Sequence, residues 1–250
     1  LARWLPAPTL IPSPTPTLAP DQVAARFGPQ LQTATDAGNW SRALEIVRIV
    51  QGIDPAGDQV RQWAFDTHMA YGRTLVDDDD VAAALEQFDA AVTAFPDNTQ
   101  ATLWQEVSRL YLAADDAMAA GDGAAALGYL RQAHDRMPGY GDVHARLVDM
   151  YLQQGEAAIA SSTWAAAIEL LSEGRERLPE EEHVTDLLAT AYARRAAARR
   201  EQGNLDAERA DLEAVLALRP DDEEARTRYD RVMYILFPPK RIEINLTTQH

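Results

Sequence analysis

Five prolines, Pro55, Pro96, Pro138, Pro179 and Pro220, stand 41, 42, 41 and 41 residues apart in this 250-residue chain. A spacing held that closely means one structural unit used five times over, which limits the fold to an array of like units. Fifteen residues ahead of each proline a segment of constant spacing begins. Its positions are Trp40, Ala43, Val47, Val50; Val81, Ala84, Phe88, Ala91; and Gly123, Ala126, Leu130, Ala133. They continue as Trp164, Ala167, Leu171, Gly174 and as Leu205, Glu208, Leu212, Val215. Offsets of 0, 3, 7 and 10 fall on one stripe of an α-helix, and a small residue at offset 3 admits a neighbouring helix closely. Each segment therefore predicts the second helix of a hairpin. The first helices carry stripes of their own, Leu103, Val107, Leu110, Ala114 and Ala117 in one and Leu147, Tyr151, Gly155 and Ala158 in another. Between the paired helices lie AGN, DDDD, GDG, SST and QGN, which are turn and capping compositions. A last segment, DDEEARTRYDRVMYILF, has Ala225, Tyr229, Val232 and Leu236 on one stripe and an acidic start suited to the helix dipole. It reads as a terminal cap.

Small at offset 3, large at 7, mostly small at 10 and proline at 15 resembles the second-helix pattern of the tetratricopeptide repeat family, over about 215 of the residues. GDGAAALGYLRQAHDRMP and GNWSRALEIVRIVQGIDP are its clearest lines. The family's period is about 34 residues, and the period here is longer. Seven added residues make almost two helical turns, so a first helix lengthened by that much returns its stripe to nearly the same face. Glu208 departs from the small residue at offset 3, and we expect it to be tolerated because only the terminal helix covers the last hairpin. The resemblance implies an all-α fold: a superhelical stack of about five such hairpins over residues 21–236, plus a capping helix.

The two ends differ from this body. Residues 1–20 carry six prolines and read as an extended Pro/Thr-rich spacer. Residues 237–250 read as a linker followed by a short extended strand, in which Ile242, Ile244 and Leu246 alternate with polar residues. The line Ile242-Glu-Ile244-Asn245-Leu246-Thr-Thr-Gln249 resembles the opening strand of L,D-transpeptidase catalytic domains. That resemblance implies the start of a truncated β domain, with the catalytic cysteine and histidine of that family lying past His250 in a longer parent protein. It also implies a bacterial cell envelope setting. No run of eighteen apolar residues is present, so any membrane anchor would belong to the parent.

Net charge is −16, which repels a phosphate backbone and argues against nucleic-acid binding. Cysteine is absent, removing thiolate chemistry and zinc–thiolate sites. Candidate chemistry elsewhere is sparse. Asp77 to Asp80 lack the alternate spacing of a calcium loop and fit an acidic helix start. His134 and His144 flank the Pro138 turn without a metalloprotease motif and read as solvated surface histidines. Arg194, Arg195 and Arg199 lie within about 140° of helix circumference. They suit a phosphate or carboxylate, although surface ion pairing with Glu201, Asp206 and Glu208 is the preferred reading. Aromatic residues on the first helices, Trp63, Tyr71, Trp104 and Tyr111, suit partner anchors, their commoner role being filling between hairpins. We therefore expect no catalytic, cofactor or metal site. The expected function is a non-catalytic protein–protein interaction scaffold, extracytoplasmic in a bacterial envelope, binding a basic or apolar protein or peptide. The alternative is a cytoplasmic adaptor or assembly factor whose C-terminal strand pairs with a partner chain.

Overall fold

The computed structural model describes residues 18–238, and these form eleven α-helices with no strand among them. The expected C-terminal strand and most of the proline-rich spacer lie outside the described residues. The described residues divide into two compact units between Leu112 and Ala113. The first holds α1 (Pro20–Asp36), α2 (Trp40–Ile53), α3 (Asp58–Asp77), α4 (Val81–Ala94) and the start of α5 (Thr99–Ala119). The second holds the end of α5, α6 (Gly123–Arg136), α7 (Val143–Ala160), α8 (Trp164–Arg177), α9 (Glu182–Glu201), α10 (Leu205–Leu218) and α11 (Glu223–Leu236).

Each second helix starts at offset 0 of its stripe and ends two residues before its proline. Proline has no N–H to extend the helix and its ring disfavours helical geometry in the residue before it, so the stop is chemical. All five second helices are 14 residues long, whereas the first helices run to 17, 20, 21, 18 and 20. The long period is thus accommodated in the first helices and in the loops.

The hairpin turns share one mechanism. A residue of positive φ stands just before each N-cap: Gly38, Asp79, Gly121, Ser162 and Gly203. The following N–H then reaches back to close the preceding helix, as in Asn39 N–H to the Ala34 carbonyl at 2.8 Å and Thr163 N–H to that of Ala158 at 2.9 Å. Asn39, Asp80, Asp122 and Asn204 then cap the next helix by accepting a backbone N–H three residues on. The DDDD run is explained by these roles: Asp80 is a cap, and Asp79 takes the left-handed turn position while accepting the Tyr111 hydroxyl at 2.9 Å.

Within the first unit α1 packs on α2, α2 on α3 and α3 on α4; within the second, each helix from α6 to α11 packs on the next, and α7 also meets α9. The offset-3 alanines Ala43, Ala84, Ala126 and Ala167 are fully buried, as the close approach requires. Glycine in the first helices makes the same allowance. A Cβ on Gly72 would lie 2.5 Å from the Phe88 ring, and one on Gly155 would lie 2.7 Å from Leu171. One first-helix stripe differs from expectation. In α5 the buried positions include Ala101, Val107, Ser108, Tyr111 and Ala114, while Leu103 and Leu110 are only half-buried. The helix turns its small and aromatic residues inward, and both leucines stand at the edge of the buried face.

Candidate partner-binding site

The terminal hairpin and its cap enclose a polar recess. Helices α9, α10 and α11 line a cavity of about 430 Å³ whose charged walls are Arg194, Arg219, Arg228, Asp222 and Glu224, with Leu212 at its base. A neighbouring recess shares Glu224 and Arg228 and adds Arg200 and Glu201. Two of the cavity's charged groups are already occupied. Asp222 caps α11 through the Ala225 N–H at 2.9 Å, and Arg219 donates to Asp186 Oδ1 at 2.8 Å. Arg194 is exposed and has no ion-pair partner among the described residues. Its guanidinium is the open cation of the site.

Beneath the cavity lies buried charge. Glu208 is 1% exposed, so the acidic residue in the last repeat occupies the same closed slot as the alanines of the other repeats. It is accommodated by charge rather than by exposure. Arg228 of α11 donates to its Oε1 across a long 3.5 Å, while Glu208 Oε2 and Arg228 Nε have no protein partner. Arg228 is therefore a cation only partly spent on its acid.

The neighbouring arginines behave differently from expectation. Arg195 and Arg199 do not pair with Glu201, Asp206 or Glu208; both converge on Asp211, whose side chain is 2% exposed. Arg195 donates Nε to Asp211 Oδ2 at 3.1 Å and Nη2 to Oδ1 at 2.7 Å, and Arg199 donates Nη1 to Oδ2 at 2.8 Å and to the Ala207 carbonyl at 3.0 Å. Hydrogen bonding to Asp211 raises the Arg195 pKa above its ordinary value, against the opposing effect of burial. These two guanidiniums fasten α9 to α10, which leaves Arg194 as the member of the trio facing the cavity.

The aromatic candidates lie in the first unit. Tyr71 stacks on Trp40 with ring centroids 5.4 Å apart. Trp104 packs on Phe88 at 5.3 Å, with the Arg73 guanidinium 5.3 Å from its own ring centre. Trp63 is partly buried against the core that contains Val23, Phe27 and Leu31, and the backbone at Gly28 comes close to its ring. Tyr111 is 2% exposed, with its hydroxyl on Asp79. Each ring contacts a neighbouring helix, so the structure gathers these four into inter-helix filling and leaves Trp63, Tyr71 and Trp104 with part of a face in solvent. His134 and His144, read from the sequence as solvated surface residues flanking the Pro138 turn, are in contact, with ring nitrogens 3.3 Å apart. Among the described residues no helix is long and apolar enough to cross a membrane.

No curated protein matches the chain. Several solved structures are similar in part. A TPR repeats protein from Bacteroides fragilis is 13% identical, with 87% of this chain and 99% of that one covered at a TM-score of 0.44. The TPR2AB domain of yeast Sti1, in a complex with pHSP90, is 14% identical over 86% and 85% at 0.34. A TPR protein from Thermus thermophilus is 20% identical over 84% and 98% at 0.25. The architecture stands on this chain's own helices rather than on those overlaps. Residues 117–191 match the family described as Tetratricopeptide repeat.

Proposed function

We propose that this chain is a non-catalytic scaffold that holds a protein or peptide partner. Stacked helical hairpins present extended surfaces suited to that task. The observation that carries the reading is the unpartnered Arg194 guanidinium in the cavity walled by α9, α10 and α11. An arginine fork there suits a carboxylate, from a side chain or a chain terminus, in two parallel hydrogen bonds. Elsewhere the acidic surface favours basic segments of the same partner, and the half-exposed faces of Trp63, Tyr71 and Trp104 offer apolar contact. The envelope location rests on sequence alone, on the Pro/Thr composition of residues 1–20 and the alternating line of 241–250.

A panel of immobilised peptides of mixed charge, each with a free or an amidated C-terminus, tests this. Binding is expected to favour basic peptides with a free carboxylate, to weaken with salt and to fall in Arg194→Glu. Binding indifferent to amidation, to acidic side chains and to Arg194→Glu would remove the cavity from the reading. Turnover of a small substrate by the isolated chain would remove the non-catalytic scaffold altogether.

A further inference from the structure

A second cluster lies away from the arginine cavity, where the Pro138 turn joins α6 to α7. His134 sits in the last turn of α6 and His144 in the first turn of α7. His134 Nε2 and His144 Nδ1 are 3.3 Å apart, with ring centres at 5.4 Å. For a hydrogen bond this is long, the usual distance from an N–H donor nitrogen to its acceptor being about 2.7–3.2 Å. For two imidazoles on one metal ion it fits: bonds of about 2.0–2.1 Å at a tetrahedral angle set the donor nitrogens about 3.3–3.4 Å apart.

The remaining nitrogen of His144 points the same way. Its Nε2 is 2.9 Å from Glu181 Oε1, in the turn before α9. A carboxylate there accepts the Nε2 proton and so leaves the Nδ1 lone pair bare, the arrangement in which outer carboxylates orient metal-binding histidines. We propose that His134 Nε2 and His144 Nδ1 form a two-histidine site for a late first-row divalent cation, oriented by Glu181. Without metal, the His134 Nε2 proton lies on the His144 lone pair. Binding requires His134 to carry its proton on Nδ1 instead, with no net proton release from the neutral pair.

Partial burial of the His134 ring favours its neutral form. Burial and then the adjacent His144 lower the His134 pKa, Arg177 from α8 acts in the same direction, and Asp135 on its own helix opposes them. Arg177 is held by Asp135 at 2.6 Å and by Glu173 at 2.9 Å, so it stands beside the pair as a fixed cation. No group of three or more His, Cys, Asp or Glu side chains suited to a metal occurs among the described residues. Water or a group from a bound partner therefore completes the shell. The ion would clamp α6 to α7 across their turn, and through Glu181 would reach the start of α9.

Titration of the untagged protein with Zn²⁺ at pH 7.5, followed by calorimetry, tests the site. One saturable equivalent is expected, with Cu²⁺ binding more tightly in keeping with the general order of divalent affinities. That equivalent should vanish in His134→Ala and in His144→Ala, persist in His183→Ala, and weaken about 10-fold or more in Glu181→Gln. Circular dichroism of the metal-free variants checks that the helices remain, and His134→Gln repeats the test if the alanine variant unfolds. Absence of a saturable equivalent, or one that survives loss of either histidine, overturns the site. Unchanged affinity in Glu181→Gln overturns the orienting role of Glu181.

Discussion

The two units fill the space between their helices by different means. In residues 18–112 ring pairs supplement an aliphatic core: Trp40 stacks on Tyr71, Phe65 meets Phe95 edge-on at 5.3 Å, and Phe88 packs on Trp104. Its ion pairs, Arg42 with Glu45, Arg61 with Asp58 and Arg109 with Asp89, lie on exposed helix faces. In residues 113–238 charge enters the packing. Arg131 joins Glu173 at 2.7 Å and donates to the buried Tyr151 hydroxyl at 3.0 Å; Glu173 continues to Arg177 and Asp135. Asp211 and Glu208 are closed from solvent altogether. Rings fill volume with no further condition, whereas a buried carboxylate must find cations in good geometry or it destabilises the fold. The second unit therefore depends on pairing that the first does without.

The largest test of this contrast is Phe88→Ala. Phe88 is fully buried against Gly72 and Trp104, so the loss should be about 3–5 kcal/mol and independent of salt, as read by denaturant unfolding at low and high ionic strength. Next comes Asp211→Ala, which leaves two guanidiniums facing each other and should cost about 3 kcal/mol. Glu208→Ala restores the small residue of the other repeats and removes a carboxylate with one long contact, so its effect should stay within about 1 kcal/mol. Equal costs for the two acids would mean that burial alone, rather than pairing quality, governs the second unit.

Two glycine substitutions test the close approaches. Gly72→Ala and Gly155→Ala each drive a Cβ into a ring or a leucine, at an expected cost of about 1–3 kcal/mol. The smallest effect is a pH dependence assigned to the second unit. His134 has its pKa below the ordinary 6.5 in the folded chain, mainly through burial, so the unfolded chain takes up the proton first. Its contribution to stability is complete above about pH 6.5 and declines as pH falls through that value towards the lower folded one. Stability measured from pH 7.5 to 5.5 should show this decline, and His134→Gln should flatten it.

Much of the fold was legible because its signals are local. The proline period located the ends of all five second helices, and the AGN, DDDD, GDG, SST and QGN turns were recognisable from their capping chemistry. The candidate site was legible only in part. Lighter cover by the terminal helix was the expected reason for tolerating Glu208, whereas the structure closes it from solvent against Arg228, twenty residues away on another helix. Arg195 and Arg199 had several acids within reach along the sequence, and nothing in their spacing singled out Asp211. Of the α5 stripe, Val107, Ala114 and Ala117 are buried as expected, while Leu103 and Leu110 stand half-buried at its edge. The two histidines flank one turn, but only the crossing of α6 and α7 sets the distance between their rings.

What the sequence alone determined, then, is the repeating unit: helix lengths, their starts and stops, and the small positions where helices approach. These follow from side-chain periodicity and from a missing proline N–H, both of which act within a few residues. Tertiary structure decided which charges are buried, which arginine remains open and which histidines meet. Coulomb and hydrogen-bond energies depend on separations of a few ångströms between groups on different helices, and packing alone sets those separations.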